Sequence, residues 1–279
     1  MAAETIFVNR EKELEQFSEV LEDPRGQAVL VVGQAWMGKS CLIDKMAEVV
    51  VNHPKLTCGW MKYTVARTDS VEATMAIMMD DALKAAHLKG GSFDATPRRR
   101  EQWRSLLNVF GIGNLVMSLK RGPKGDTRTQ FLDRLRIISK RMPENGRVIF
   151  AVDPYDYIPS NSDQAWAIVV KDLPDKIKFV FAQRPDDEIV KGEAFRGLAN
   201  VINIPDGHLG VLGEQSVEQL VRLRAPTIGQ QEHVLHEAFR QYDGHPYAIQ
   251  AALDLLDKKK VTVKELPPDP TPEGILDRN

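Results

Sequence analysis

The sequence contains little cysteine, no long apolar run and almost no net charge. Two cysteines, Cys41 and Cys58, cannot make a disulfide framework, and they indicate a reducing compartment. No apolar run approaches the roughly 20 residues of a transmembrane helix, and residues 1–4 lack the pattern of a signal peptide. We therefore expect a cytoplasmic protein without a membrane partner. A formal net charge of −2 gives no general reason to expect a nucleic-acid partner.

Alternating strand-like and helix-like segments predict the fold class. The chain has 279 residues, of which 43% are hydrophobic and 27% charged, as is ordinary for a globular protein. The alternation favours an α/β fold with a mainly parallel sheet. Strands are predicted at 29–32, 56–65, 147–152, 176–182 and 200–204, and helices at about 10–21, 70–88, 127–142, 164–173, 215–224, 230–242 and 247–256.

The segment from Gly33 to Ser40 carries the clearest functional motif. Its sequence is Gly-Gln-Ala-Trp-Met-Gly-Lys-Ser, and it lies between the apolar run Val29–Val32 and a helical pattern. This is the strand–loop–helix context of a phosphate-binding P-loop. The two glycines, Gly33 and Gly38, let successive backbone N–H groups point into one concavity, and the helix start adds a positive dipole end.

Each residue type in this loop has an expected role. Lys39 has the reach to bind the β- and γ-phosphates, and the Ser40 hydroxyl is a ligand for Mg²⁺. Around them we expect further nucleotide contacts from Gly33, Trp36, Met37, Gly38 and Cys41. The helix dipole would lower the pKa of a Cys41 thiol, but a small core-facing residue is the favoured interpretation of Cys41.

A second acidic motif completes the predicted site. A P-loop needs an acid at the end of a neighbouring strand to hold Mg²⁺, and the apolar run Arg147–Val152 ends in Asp153. Asp156 is the local candidate for orienting or deprotonating the attacking water. Because Pro154 follows Asp153, no paired acid stands directly beside it, and we expect slow hydrolysis.

Arg184 follows the next predicted strand and is a candidate phosphate sensor. A guanidinium binds phosphate oxygens through two parallel hydrogen bonds, so an arginine at this strand end would detect the γ-phosphate. The alternative is an arginine that caps a turn before Pro185.

A basic stretch lies between the P-loop and the acidic motif at Asp153. Arg98–Arg100 are followed by Trp103 and Arg104, and further positive charge follows at 120–124. Such a cluster fits an anionic partner such as nucleic acid. The favoured interpretation is a solvated helix face followed by a loop, because flanking acids neutralise the charge.

Taken together, these residues resemble the STAND class of AAA-like P-loop ATPases, which includes the NACHT and NB-ARC switch modules. The resemblance covers about residues 6–258. Phe7-Val8-Asn9-Arg10-Glu11-Lys12-Glu13-Leu14 is similar to the class's N-terminal motif, with Asn9 replacing a glycine. Asparagine tolerates a left-handed turn position. The resemblance implies that Phe7, Val8 and Arg10 lie near the adenine or ribose, although Arg10 would alternatively brace subdomains.

The segment Gly244-His245-Pro246 is similar to the Gly-x-Pro motif of the class's helical subdomain. The resemblance implies that Pro246 packs on the base, so that the position of the subdomain reports the nucleotide state. It also implies that Asp153-Pro-Tyr-Asp156 is a Walker B variant and that Arg184 is the sensor arginine. From the residues alone, Gly-His-Pro equally marks a helix stop followed by a helix that starts at proline, with His245 as a cap.

The resemblance implies a complete architecture and a function. The expected fold is a P-loop NTPase three-layer sandwich followed by a small helical subdomain. We divide the chain into an N-terminal motif and helix (1–26), an ATPase core (27–208), a helical lid (209–260) and a tail (261–279). The expected cofactors are ATP or ADP with Mg²⁺, and the expected partners are proteins or further copies in ATP-dependent assembly for signalling or defence. Such proteins are usually longer, so we expect a fragment or a minimal member.

Two other functions fit a P-loop core. One is a DNA-associated ATPase of the origin-recognition or archaeal type, supported by the basic stretch 98–104 and disfavoured by the near-neutral charge. The other is a metabolic phosphotransferase, which the helical segment after residue 207 disfavours. Fold alone does not separate these functions.

Overall fold

The computed structural model describes residues 7–63, 74, 75, 78, 126–153, 163–185, 195, 197–205, 209–224 and 240–257. Within these ranges the strands are β1 (Gln27–Val32), β2 (Thr57–Tyr63), β3 (Gly146–Val152), β4 (Ile177–Gln183) and β5 (Val201–Asn203). The helices are α1 (Glu11–Glu22), α2 (Lys39–Val51), α3 (Thr127–Arg141), α4 (Asp163–Lys171), α5 (Glu214–Arg224) and α6 (Pro246–Asp257), with labels counting these elements only. Most of the predicted helices 70–88 and 230–242, and the tail, lie outside the described residues.

The five strands form one parallel sheet in the order β2-β3-β4-β1-β5. This confirms the predicted α/β fold. The expectation that Asp153 ends a strand next to the P-loop strand was wrong, because β3 is not a neighbour of β1. β4 lies between them, pairing with β1 on one side and β3 on the other. The carboxyl ends of parallel strands share one edge, where ligands of such folds bind.

Hydrophobic cores cover both faces of the sheet, so the molecule has three layers. Alternate residues of β4 point to opposite faces: Phe179 packs in a core with α3 and α4, and Val180 packs in a core with α1 and α2. Both strands β3 and β4 are buried along their whole length, as expected for strands covered on both faces.

Two buried basic side chains fix the end of α1 to the sheet. Lys178 is fully buried, and its Nζ donates to the carbonyls of Asp23 and Arg25 at 2.7 and 2.6 Å. Arg147 donates from Nε to the carbonyl of Leu21 at 3.1 Å. These contacts satisfy carbonyls at and beyond the C-terminus of α1, which have no partner within the helix. They hold α1 in place, and with it the N-terminal segment that leads to the site.

A third core belongs to α5 and α6. Residues 212–224 and 240–257, called the helical unit here, contribute Leu212, Leu220, Ile249 and other buried side chains to it. Val8, from the segment before α1, packs in the same core. The N-terminal segment therefore contacts the helical unit across a long separation in sequence. The residue boundaries proposed for the domains stay a prediction.

Candidate nucleotide-binding site

The predicted P-loop connects β1 to α2, and its two glycines are needed for different reasons. Gly38 precedes α2 with φ 87°, a left-handed conformation that favours glycine. Gly33 is needed for space, because a Cβ there would lie 2.8 Å from the Cβ of Leu209. The expectation that both glycines serve to curl the loop is therefore correct for Gly38 and incomplete for Gly33.

Lys39 folds back over its own loop. Its Nζ donates to the carbonyls of Gly33 and Gln34 at 2.7 and 2.8 Å, and the side chain is buried. These oxygens keep a buried ammonium solvated by the backbone. The lysine is thus held inside the concavity in which phosphate oxygens would bind.

A cavity of about 280 Å³ opens beside the loop. The predicted nucleotide contacts that line it come from the N-terminal segment, the loop and the helical unit: Phe7, Val8, Arg10, Trp36, Met37, Gly38, Lys39, Ser40, Cys41 and Pro246. Of the predicted set, Gly33 is not in the lining. Four lining residues were not predicted: Leu212, Leu220, Tyr247 and Gln250. Two of them could have been inferred from Pro246, because Tyr247 follows it directly and Gln250 lies one helix turn later. Leu212 and Leu220 are leucines that no motif singles out.

Arg10 connects the N-terminal segment to the residues that lead into the helical unit. Its guanidinium donates to the carbonyl of Gly210 at 2.6 Å and to a carboxylate oxygen of Glu13 at 3.2 Å. The side chain is buried although it lines the cavity. This geometry agrees with the bracing alternative. Asn9 beside it has φ 55°, the left-handed position expected from its replacement of glycine.

The start of α6 closes the other side of the cavity. Pro246 is the first residue of α6, and Nδ1 of His245 accepts from the Ala248 N–H at 3.4 Å, so the predicted helix start and histidine cap are present. The ring of Tyr247 lies 4.6 Å from that of Trp36, at 40°. Trp36 has φ 66°, which is uncommon for a bulky residue. The loop and α6 are therefore in direct aromatic contact.

Burial lowers the pKa of His245 below its ordinary value, although a hydrogen bond with the backbone of Ala35 acts in the opposite direction. The half-buried imidazole is thus favoured in its neutral form, which suits a cap. Burial also raises the pKa of Cys41, with Asp44 adding to the rise. This rise is opposite to the lowered pKa expected of a thiol activated by the helix dipole.

Asp153 lies at the end of β3 as a buried carboxylate. Its Oδ2 is 3.0 Å from Nζ of Lys62, which is also 2.9 Å from Oδ1 of Asp44. Burial alone would lower the pKa of Lys62, but the two carboxylates outweigh it and raise that pKa above its ordinary value. The sequence analysis missed Lys62. Its signal was a lone lysine within the apolar strand pattern that ends at Tyr63.

The donors at this edge suit Mg²⁺ bound together with a nucleotide. Ser40 presents an exposed hydroxyl in the first turn of α2, and Asp153 presents a carboxylate. Mg²⁺ prefers oxygen ligands and commonly takes one or two from the protein and the rest from phosphates and water. In the part of the chain that the structure describes, no group of three His, Cys, Asp or Glu side chains is arranged to hold a metal by itself. The same part contains no helix that is long and apolar enough to cross a membrane.

The end of β4 presents a polar residue other than the one predicted. Gln183 is buried, pairs with Val32 of β1, and its Oε1 has no hydrogen-bond partner among the described residues. Arg184 follows it on the surface and does not line the cavity. The sensor role of Arg184 stays a prediction. Asp156 and the basic stretches 98–104 and 120–124 lie outside the described residues.

Comparison with known proteins adds limited information. No protein-family model and no curated protein matches the chain. Similar solved structures include the Aeropyrum pernix Orc1 protein in complex with DNA (12% identity, TM-score 0.47) and Cdc6p from Pyrobaculum aerophilum (9%, 0.49). A third is Drosophila ORC bound to DNA (15%, 0.42). They cover 99%, 97% and 93% of this chain, which spans 65%, 69% and 59% of theirs.

Two of these structures bear the name Orc1 or ORC and one the name Cdc6p, and none bears a STAND, NACHT or NB-ARC name. The expectation of the STAND class is therefore not confirmed. Since all three TM-scores are below 0.5, none of these proteins assigns a function to this chain.

Gly244 provides a test of how closely the helical unit packs. A Cβ at Gly244 would lie 2.1 Å from the carbonyl oxygen of Leu212, and φ there is 70°. Gly38 also has a positive φ but has nothing within 4 Å of such a Cβ. We expect Gly38→Ala to lower the free energy of unfolding by about 1–2 kcal/mol and Gly244→Ala by about 3 kcal/mol or more. Urea unfolding without nucleotide measures both. Equal losses of unfolding free energy in the two variants would contradict the close approach of Gly244 to Leu212.

Proposed function

We propose that the chain binds an adenine nucleotide with Mg²⁺ in the cavity beside the P-loop and uses it as a conformational switch. One observation carries the proposal: residues 36–40 of the loop and helix α2, and Pro246 and Tyr247 of the helical unit, line the same cavity. A nucleotide there would contact both parts. Its γ-phosphate would then favour one position of the helical unit to the extent that it binds the two positions differently.

The phosphate end of the proposed site is supported by the loop. Lys39 is already held among backbone carbonyls in the concavity, and α2 directs its N-terminus toward it. Ser40 and Asp153 would hold Mg²⁺, which would supply positive charge to the phosphates. Phosphate oxygens would replace the Gly33 and Gln34 carbonyls as partners of Lys39.

The base end is supported by apolar and aromatic lining. Phe7, Val8, Trp36, Pro246 and Tyr247 provide surfaces on which a purine ring can stack. A preference for adenine over guanine rests on the STAND resemblance. Arg10 serves here as a brace rather than as a ligand, because its guanidinium is bound to Gly210 and Glu13.

We infer that hydrolysis of ATP to ADP and phosphate is slow and resets the switch. Asp153 has Pro154 directly after it instead of a second acid, so a water-activating group must come from elsewhere. Asp156 and the buried amide of Gln183 are the candidates for orienting the water. The output in this proposal is assembly with protein partners or further copies, in a signalling or defence setting.

The first test is nucleotide content and affinity. We expect purified protein to release ADP on denaturation, and ATP and ADP titrations to show binding. Lys39→Ala removes the ammonium held in the loop, so it should weaken binding by about 100-fold or more. Calorimetric titration measures both proteins, with exposed Lys140→Ala as the control.

Equal binding by the Lys39→Ala variant would contradict the proposed phosphate site. Binding of GTP in preference to ATP would keep the site and overturn the adenine assignment.

A DNA-associated ATPase is the second candidate. The observation in its favour is the basic stretch 98–104 with its embedded Trp103. Two of the similar structures, Aeropyrum pernix Orc1 and Drosophila ORC, were solved with DNA. This function would be favoured if the protein bound duplex DNA, if that binding weakened steeply with salt, and if it were lost when alanine replaced Arg98–Arg100. We expect no such binding, and fluorescence anisotropy on a labelled duplex measures it.

A further inference from the structure

Lys62 lies beside the proposed metal site, and the nucleotide-binding proposal gives it no role. Its side chain, near the end of β2, is 22% exposed, and its ammonium bridges Asp153 and Asp44 at 3.0 and 2.9 Å. Both distances are those of charge-assisted hydrogen bonds. One lysine thus connects a carboxylate that is 6% exposed to one that is 60% exposed.

The burial of Asp153 explains why a cation is required there. An ionised carboxylate with little access to water is costly unless a positive charge is close. In the described ranges, Lys62 is the basic side chain that forms an ion pair with Asp153. It therefore supplies to Asp153 the charge that Mg²⁺ would supply in a nucleotide complex. A lysine ammonium and a metal ion cannot both take the closest position at one carboxylate oxygen.

Asp44 gives Lys62 a second partner. Ser40 and Asp44 are four residues apart on α2, so they lie on the same face of the helix. The expected Mg²⁺ ligand and the second partner of Lys62 are therefore neighbours. If Asp153 bound a metal, Lys62 would keep one carboxylate partner at Asp44 and would not be left as an unpaired charge.

We propose that Lys62 is an internal counter-ion that competes with Mg²⁺ for Asp153, and that Asp44 retains Lys62 when the metal binds. This inference rests on the proposed nucleotide function and specifies how its metal step is regulated. ADP binds with little dependence on Mg²⁺, because Lys62 already neutralises Asp153. Loading of the metal is the step that Lys62 opposes.

The direct test is a Mn²⁺ titration of the full chain saturated with ADP, followed by electron paramagnetic resonance of free Mn²⁺. Lys62→Met removes the charge and keeps an unbranched apolar side chain. We expect it to bind Mn²⁺ about tenfold more tightly than the wild type. Lys55→Met is the matched control, since Lys55 forms an exposed ion pair with Glu22 at 3.2 Å, and its Mn²⁺ affinity should be unchanged.

Asp44→Asn gives a change in the opposite direction. Without Asp44, Asp153 is the one remaining ion-pair partner of Lys62 among the described residues, so Mn²⁺ affinity should fall. A general loss of negative charge would also lower it, and the double variant distinguishes the two causes. If Asp44 acts through Lys62, the effect of Asp44→Asn will be much smaller in the Lys62→Met background. Because Asp44 is exposed, Asp44→Asn should fold even if Lys62→Met does not, and an unchanged Mn²⁺ affinity in Asp44→Asn would then overturn the proposal.

Thermal unfolding of the ADP complexes provides a second readout. Without metal, Lys62→Met leaves Asp153 buried and unpaired, so its Tm should lie below that of the wild type. Added Mg²⁺ should raise the Tm of Lys62→Met more than that of the wild type.

Several outcomes would overturn the proposal. Unchanged or weaker Mn²⁺ affinity in Lys62→Met would do so, as would an equal effect of Asp44→Asn in both backgrounds. If ADP binding is intact while Mn²⁺ affinity does not respond, only the role of Lys62 fails. If the wild type does not bind ADP with or without metal, the proposed function fails and this inference fails with it.

Discussion

The site depends on the continuation of strand pairing beyond the end of β1. The N–H of Leu209 donates to the carbonyl of Val32 at 2.6 Å, and Leu209 bridges Gly33 in parallel register. This pairing brings the segment that leads to the helical unit against the P-loop. Further along that segment, the carbonyl of Gly210 accepts a hydrogen bond from Arg10, and the N–H of Leu212 donates to the carbonyl of Gly244 at 2.8 Å. Gly33 permits the approach, because a side chain there would collide with Leu209.

Local patterns in the sequence were sufficient to predict the fold class and the positions of most of its strands and helices. The apolar runs and helical periodicities gave bounds within two residues of those observed for strands β1–β5 and for helices α1, α3, α4, α5 and α6. The positive φ of Gly38 and of Asn9 also followed from residue type. The order of the strands could not be predicted, because no local signal indicates that β4 pairs with both β1 and β3. Pairing between distant strands is a tertiary property that propensity does not encode.

Much of the cavity lining was predicted, because the P-loop motif gave residues 36–41 and the family resemblance gave Phe7, Val8, Arg10 and Pro246. Lys62 and Gln183 were missed because the sequence does not say whether a polar side chain in a strand faces water or faces a binding site. Their importance comes from what surrounds them: two carboxylates for Lys62, and a buried position beside β1 for Gln183.

The central claim is that one nucleotide contacts both the P-loop and the helical unit. Hydrogen–deuterium exchange of the full chain, with and without ADP, tests it most directly. The account predicts slower exchange on adding ADP in peptides covering 33–41 and, equally, in peptides covering 244–250. Protection confined to 33–41 would mean that the helical unit does not take part in binding. Absence of protection in both segments would contradict the site itself.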